Sequence, residues 1–245
     1  MNEPFNFSVE PRILVSKDLT ELSNRAADHI ASLITVDPFH FVLTGGSTPK
    51  ALYKILSEKK LDWKNMQFFW GDERCVPSDH PDSNFGMALE TLLNKISVDE
   101  DHVHRMKGEM EPPAAAFEYE KQLRNIFGGD AIPSFDLVLL GMGEDGHTAS
   151  LFPGTPALKV QDRLVVDNYV EKLQATRLTM TFRLLNQAKR ILFLVSGVSK
   201  AFALQQVLEG EFDPLLYPSQ GIRPVHGELL FFVDQEAASM LKRRP

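Results

Sequence analysis

The sequence contains one cysteine, Cys75, in 245 residues, so no intrachain disulfide can form, and a lone thiol suits a reducing compartment. No apolar run approaches the length of a membrane span. The first ten residues, MNEPFNFSVE, lack the basic segment and apolar stretch of a secretion signal, and the expected location is the cytoplasm. Positive charge is not in excess: the formal net charge is -7, which argues against nucleic acid or an anionic membrane as the main partner. A small anion held in a local basic pocket remains compatible with that charge. The G-x-S-x-G elbow of serine hydrolases is absent, as are internal repeats and low-complexity linkers.

What is present is an alternation of short apolar runs with helical stripes. Strands are expected at Arg12–Val15, Phe39–Leu43, Met66–Trp70, Phe135–Leu140, Leu164–Val166, Ile191–Val195 and Leu229–Val233, with a half-exposed alternating strand at Arg177–Thr181. Asp18-Leu-Thr-Glu21 is an acidic capping box before Leu19, Leu22, Ala26, Ile30 and Leu33 at helical spacing. His29, beside that stripe, reads as a structural histidine at the edge of the core. Further helices follow Thr48-Pro49, continue from Phe85 through Leu93, span Pro112–Phe127 up to Gly128-Gly129, and follow Lys200. Short helical pieces are expected at residues 184–188 and 237–241, and the Lys242-Arg243-Arg244 tail reads as solvated. The expected fold is a single α/β domain over residues 1–245, with a mostly parallel sheet flanked by helices.

The chemistry is expected in FDLVLLGMGEDGHTASLFPGTP, Phe135 to Pro156. A nearly unbroken apolar run, interrupted only by Asp136, marks a strand buried on both faces. It stops at a loop of three glycines with Asp145 and His147, at the strand end where open α/β sheets bind ligands. Gly141 to Gly146 also spells G-x-G-x-x-G, but that fingerprint requires a long helix directly after it. Pro153, Gly154 and Pro156 leave room for only a turn or two of helix from His147 to Phe152, so a nicotinamide or flavin site is not expected. His147 is either a catalytic imidazole or a loop histidine bonded to backbone; acid, imidazole and three glycines at one strand end favour the former.

Three other strand ends carry candidates. Gly45, Gly46, Ser47 and Thr48 lie between a strand and a helix, with Thr48 as the expected N-cap and Pro49 as the first helical residue. The segment is either an ordinary capped turn or an anion site built from backbone donors, two hydroxyls and a helix N-terminus. In Gly71-Asp72-Glu73-Arg74, the arginine can grip a phosphate and Asp72 can position a ligand hydroxyl or hold the arginine, or else the turn is simply solvated. Arg177 opens its strand and can face the site. Lys200, in the first turn of a helix where a cation opposes the dipole, makes more sense if it meets an anion. Cys75 reads as an inert small hydrophobe. The scattered Asp and His of residues 79–84, with His102 and His104, lack metal-ligand spacing, so no metal is expected.

Assembled, these stretches resemble the 6-phosphogluconolactonase family over nearly the whole chain. The carriers are LTGGSTP (Leu43–Pro49), WGDERCVP (Trp70–Pro77), DSN (Asp82–Asn84), GMGEDGHTASLFPGTP (Gly141–Pro156), RLT (Arg177–Thr179) and LFLVSGVSK (Leu192–Lys200), in the family's order. The related glucosamine-6-phosphate deaminases share the D-G-H loop, but His147 is followed here by Thr-Ala-Ser-Leu-Phe-Pro, the lactonase continuation. EKLQAT, Glu171 to Thr176, departs from the proline-rich approach of many relatives.

The resemblance implies a sheet related to those of ribose-5-phosphate isomerases and CoA-transferases. It also implies no cofactor, and hydrolysis of 6-phospho-D-glucono-1,5-lactone in the oxidative pentose phosphate pathway. His147 would take a proton from the attacking water and return it to the leaving ring oxygen, with Asp145 orienting water or hydroxyls. Backbone N–H groups of Gly45-Gly46 or of the Gly141 to Gly146 loop would stabilise the oxyanion. Ser47, Thr48, Asp72, Arg74, Arg177 and Lys200 would hold phosphate and sugar. The expected partner is this small phosphorylated lactone, and the expected state is a monomer. An isomerase and deaminase acting on amino-sugar phosphates, and a non-catalytic sugar-phosphate sensor, are the alternatives.

Overall fold

Strands whose side chains are apolar on both faces require cover on both sides, and the fold supplies it. The computed structural model describes residues 9–35, 38–129 and 131–242; Arg243 and Arg244 of the basic tail lie outside them. Ten strands are present among the described residues: β1 (Arg12–Ser16), β2 (Phe39–Leu43), β3 (Met66–Trp70), β4 (Asp72–Arg74), β5 (Val103–His104), β6 (Leu137–Gly141), β7 (Val165–Val170), β8 (Ala175–Met180), β9 (Arg190–Val195) and β10 (Glu228–Asp234). Seven form one parallel sheet in the order β1-β10-β9-β6-β2-β3-β5. The helices are α1 (Leu19–Leu33), α2 (Ser47–Glu58), α3 (Asn84–Thr91), α4 (Pro112–Ile126), α5 (Phe182–Leu185) and α6 (Ala201–Glu209).

The main sheet bears out the mostly parallel α/β reading, and one finding goes beyond it. Residues 72–74, read as part of a loop, form β4, which pairs antiparallel with β8, and β8 pairs antiparallel with β7. Nothing in the charged triplet Asp-Glu-Arg announces a strand. It is imposed by β8, whose register sets Asp72 opposite Thr179 and Arg74 opposite Arg177.

From β2 the main sheet proceeds outward through β3 to β5, and from β6 outward through β9 to β10. β2 and β6 are neighbours, so the strand order reverses between them, and ligands in open α/β sheets bind outside the strand ends at such a point. Leu137, Val138, Leu139 and Leu140 of β6 are fully buried, and burial of each such side chain stabilises by roughly 1.5–3 kcal/mol relative to exposure. Phe193 and Phe231, paired in register on β9 and β10, stack with centroids 4.5 Å apart.

Asp136, the polar interruption before β6, is buried. It accepts from the His40 backbone N–H at 2.9 Å, from His40 Nδ1 at 3.1 Å and from Lys189 Nζ at 2.7 Å. Burial alone would raise its pKa; the His40 and Lys189 hydrogen bonds outweigh burial and hold it at about 2. At the other end of the chain Asp18 caps α1, accepting from Glu21 N at 2.9 Å, and Glu21 reaches back to Lys17 N at 2.7 Å. His29 packs against Phe232 with centroids 5.6 Å apart, and burial lowers its pKa, as suits a structural histidine.

Candidate active site

A cleft of about 200 Å³ opens at the ends of β2, β6 and β9, lined among others by Gly45, Gly46, Ser47, Thr48, Asp72, Arg74, Asn84, Gly143, His147 and Lys200. Most of the residues singled out in the sequence thus converge, although they come from five separate stretches. Asp145 and Arg177 are near the cleft without lining it.

The β2 end is fixed from beneath. Tyr53 of α2, fully buried, accepts from Thr44 N and donates to Thr44 O, both at 2.9 Å. Burial raises its pKa far above the ordinary phenol range, so the hydroxyl stays a donor. Beyond Thr44 the expected cap is displaced: α2 begins at Ser47, not Pro49. Gly46 is its N-cap at φ 112, and no side chain caps the helix. The reason is visible at the cleft, where Ser47 and Thr48 hydroxyls meet no partner among the described residues. With the orphan N–H groups of the first helical turn, they form an open donor cradle at the positive end of a helix dipole.

The β3 end continues into β4, where Asp72 and Glu73 are buried. Asp72 does not hold Arg74, one of the two roles considered for it. Its Oδ2 accepts from Ser150 Oγ at 2.8 Å, and its Oδ1 faces Asn84 Nδ2 at 3.3 Å. Glu73, absent from the sequence candidates, accepts from Arg74 N, Asn84 N and Phe85 N at 2.7–2.8 Å. It anchors the start of α3; burial raises its pKa despite those donors. Asn84 donates to the Asp72 carbonyl at 2.9 Å, and its buried Oδ1 has no partner among the described residues. Arg74 Nη1 donates to the Asp82 carbonyl. Arg177 lies third in β8 rather than at its start, directly across from Arg74, and burial, followed by the charge of Arg74, lowers its pKa. Cys75 is half-buried, and burial pushes its thiol up to about 11, consistent with an inert side chain.

Residues 147–152 do not form the expected helix. Thr148 Oγ1 donates to Gly141 O at 2.8 Å, Thr148 and Leu151 form a bridge, and Ala149 takes φ 47. Ser150 is tied to Thr179 Oγ1 as well as to Asp72. The outcome is a tight turn that returns Phe152 over the imidazole, ring centroids 4.0 Å apart.

His147 Nδ1 lies 2.6 Å from Asp145 Oδ1. An ionised carboxylate only accepts, so Nδ1 carries the proton and Nε2 is left as the basic nitrogen of a side chain that lines the cleft. Burial works to raise the Asp145 pKa, but hydrogen bonds from His147 and Lys172 outweigh it and hold the carboxyl well below the usual range. Within this loop two donors are already used: Gly143 N–H bonds to His147 O at 2.8 Å and Gly146 N–H to Gly143 O at 3.1 Å. Of the oxyanion donors expected from sequence, the Gly143 and Gly146 N–H groups are thus occupied, whereas those of Gly45 and Gly46 have no acceptor among the described residues.

Lys200 ends a short 3-10 turn (Val198–Lys200) and serves as the N-cap of α6 rather than lying in its first turn. Its Nζ is 3.9 Å from Glu144 Oε1, a loose contact at the cleft wall. His104, considered among possible metal ligands, instead packs on Phe69 and lies 2.7 Å from Gln67 Oε1.

A family model described as glucosamine-6-phosphate isomerases/6-phosphogluconolactonase matches residues 16–231. The chain is 41% identical to a 6-phosphogluconolactonase of Synechocystis sp. over 96% of both chains. It is 40% identical to one of Nostoc sp., covering 93% of this chain and 97% of the other. A 6-phosphogluconolactonase structure from Trypanosoma cruzi superposes with a TM-score of 0.86 at 31% identity, covering 97% of this chain and all of that one. With its cleft at the β2/β6 switch point and these relatives matched over more than nine-tenths of their length, the chain belongs to the glucosamine-6-phosphate isomerase/6-phosphogluconolactonase family.

Proposed function

We propose that this chain hydrolyses 6-phospho-D-glucono-1,5-lactone to 6-phosphogluconate in the pentose phosphate pathway, as a cytoplasmic, monomeric, single-domain enzyme without cofactor. The observation that carries the reading is the Asp145–His147 pair, held at 2.6 Å with Nε2 left for the cleft. His147 Nε2 accepts a proton from water as its oxygen adds to the C1 carbonyl. The resulting oxyanion is met by the Gly45 and Gly46 N–H groups, a contribution of roughly 3 kcal/mol per donor in other hydrolases. Collapse breaks the bond from C1 to the ring oxygen, which takes the proton back from Nε2 and becomes the C5 hydroxyl.

The substrate's phosphate is assigned to the N-terminus of α2 with Ser47, Thr48, Lys200 and Arg74. Arg177 stands behind Arg74: two guanidinium groups set opposite each other repel, and an anion in front of them relieves that. Asn84 Oδ1, lacking a partner, suits a sugar hydroxyl. The isomerase alternative fits less well. An acid that moves a proton between neighbouring carbons must reach both of them, and Asp72, the one acid among the described residues that line the cleft, is engaged by Ser150 and Asn84.

Calorimetric titration with 6-phosphogluconate and with gluconate tests the assignment of the anion. Wild type should prefer the phosphorylated acid strongly. Lys200→Ala and Arg74→Ala should each weaken its binding by about 1.5–3 kcal/mol, the worth of a hydrogen bond to a charged group, and Arg177→Ala should weaken it less. Equal binding of gluconate would remove the phosphate from this cradle.

A further inference from the structure

Lys172 belongs to the short turn Glu171–Leu173 that joins β7 to β8. Its ammonium is drawn to the loop that carries the imidazole. Lys172 Nζ donates to Asp145 Oδ2, the oxygen that His147 does not use. The same nitrogen lies 4.8 Å from the centroid of Phe152, the ring stacked on His147. Both supports of the imidazole, the carboxylate at its Nδ1 edge and the aromatic ring on its face, therefore end at one cation. The turn itself is held in shape: Gln174 N–H donates to Glu171 O at 3.0 Å, and Tyr169 donates its hydroxyl to Gln174 Oε1 at 3.1 Å.

We infer that Lys172 is a positioning residue for the Asp145–His147 pair, acting from the β7–β8 turn by pinning the second carboxylate oxygen and the Phe152 face. The terminal torsion of an aspartate is broad and nearly two-fold, so a carboxylate tied only through Oδ1 is free to turn its plane away from Nδ1. A cation on Oδ2 removes that freedom and keeps the carboxyl ionised, and Nδ1 remains the protonated nitrogen. Half of the Lys172 side chain is exposed, and ion pairs of that kind add at most about 1 kcal/mol to stability. Its contribution therefore falls on geometry rather than on folding.

This inference rests on His147 being the base, and its test separates the two. In the full chain, Lys172→Met keeps the length and apolar stem without the charge, and Lys172→Arg restores a cation. The expected result for Lys172→Met is a kcat on 6-phosphogluconolactone lowered roughly 10–100-fold, the cost of a slightly misplaced catalytic group. KM, 6-phosphogluconate affinity and melting temperature should stay close to wild type, and Lys172→Arg should recover most of the rate. The His147 Nδ1–H proton resonance, followed in histidine-labelled protein without any substrate, should be shifted downfield in wild type and should move or broaden in Lys172→Met. An unchanged kcat, a change confined to KM, or an unchanged resonance overturns the positioning role. Lack of lactone turnover by wild type overturns the base assignment instead, and the resonance still tests Lys172.

Discussion

His147→Ala is expected to lower kcat for 6-phosphogluconolactone by about 10²–10⁴-fold, the range that a positioned acid–base group supplies, while 6-phosphogluconate still binds. The separation follows from the layout of the cleft. The groups assigned to the phosphate lie at the start of α2, on β4 and at Lys200, whereas His147 enters from the loop after β6. Its own contacts are with Asp145, Phe152 and the Gly143 backbone, so removing the ring leaves the cradle intact. Single-turnover rates beside product titrations make the comparison, and a variant within a few fold of wild type would transfer the base to another group.

Gly143→Ala is expected to lose nearly as much activity, although it replaces no side chain that performs chemistry. A β-carbon at residue 143 would sit 2.0 Å from His147 Nδ1, 2.1 Å from Cε1 and 2.7 Å from Asp145 Oδ1, distances no pair of atoms tolerates. The backbone there has little room to yield. Gly143 donates to His147 O, and its carbonyl accepts from Gly146, while the Gly146 carbonyl is in turn held by both Ser219 N and Ser219 Oγ. The imidazole must move instead, and a displacement of about 1 Å in a reacting group costs on the order of 10²-fold. Steady-state kinetics should show kcat falling with product affinity largely retained; wild-type kcat in this variant would mean that the imidazole does not work from the position it occupies here.

Much of the fold was legible because its signal is local. A run such as Leu137–Leu140 can be accommodated only where both faces are covered, and the glycines, acid and imidazole after it mark a strand end with something to bind. The cap of α2 was misplaced by two residues for a physical reason: a serine or threonine at a helix start usually satisfies that helix, yet here the hydroxyls of Ser47 and Thr48 are left open to the cleft. The helix expected after His147 was lost to side chain bonds, Thr148 to Gly141 and Ser150 to Asp72 and Thr179, which favour a turn over the i to i+4 ladder.

What the sequence could not reveal depends on partners far along the chain. Nothing near Lys172 indicates that its charge will lie against Asp145, 27 residues earlier, nor does anything near Asp72 point to Ser150, 78 residues later. The second sheet is of the same kind, since β4 carries three charged residues and takes its form from β8. Glu73 gives no sign in the sequence because a buried glutamate is the exception among charged residues, and the donors gathered around it, three backbone N–H groups and the Ser83 hydroxyl, account for its place.

The most direct test of lactone hydrolysis at this cleft is the rate of acid release from freshly generated 6-phosphogluconolactone, corrected for spontaneous opening, measured beside ammonia release from glucosamine-6-phosphate with the same wild-type preparation. The structure predicts strong acceleration of the first reaction and none of the second. Ammonia release without acceleration of lactone opening would contradict it.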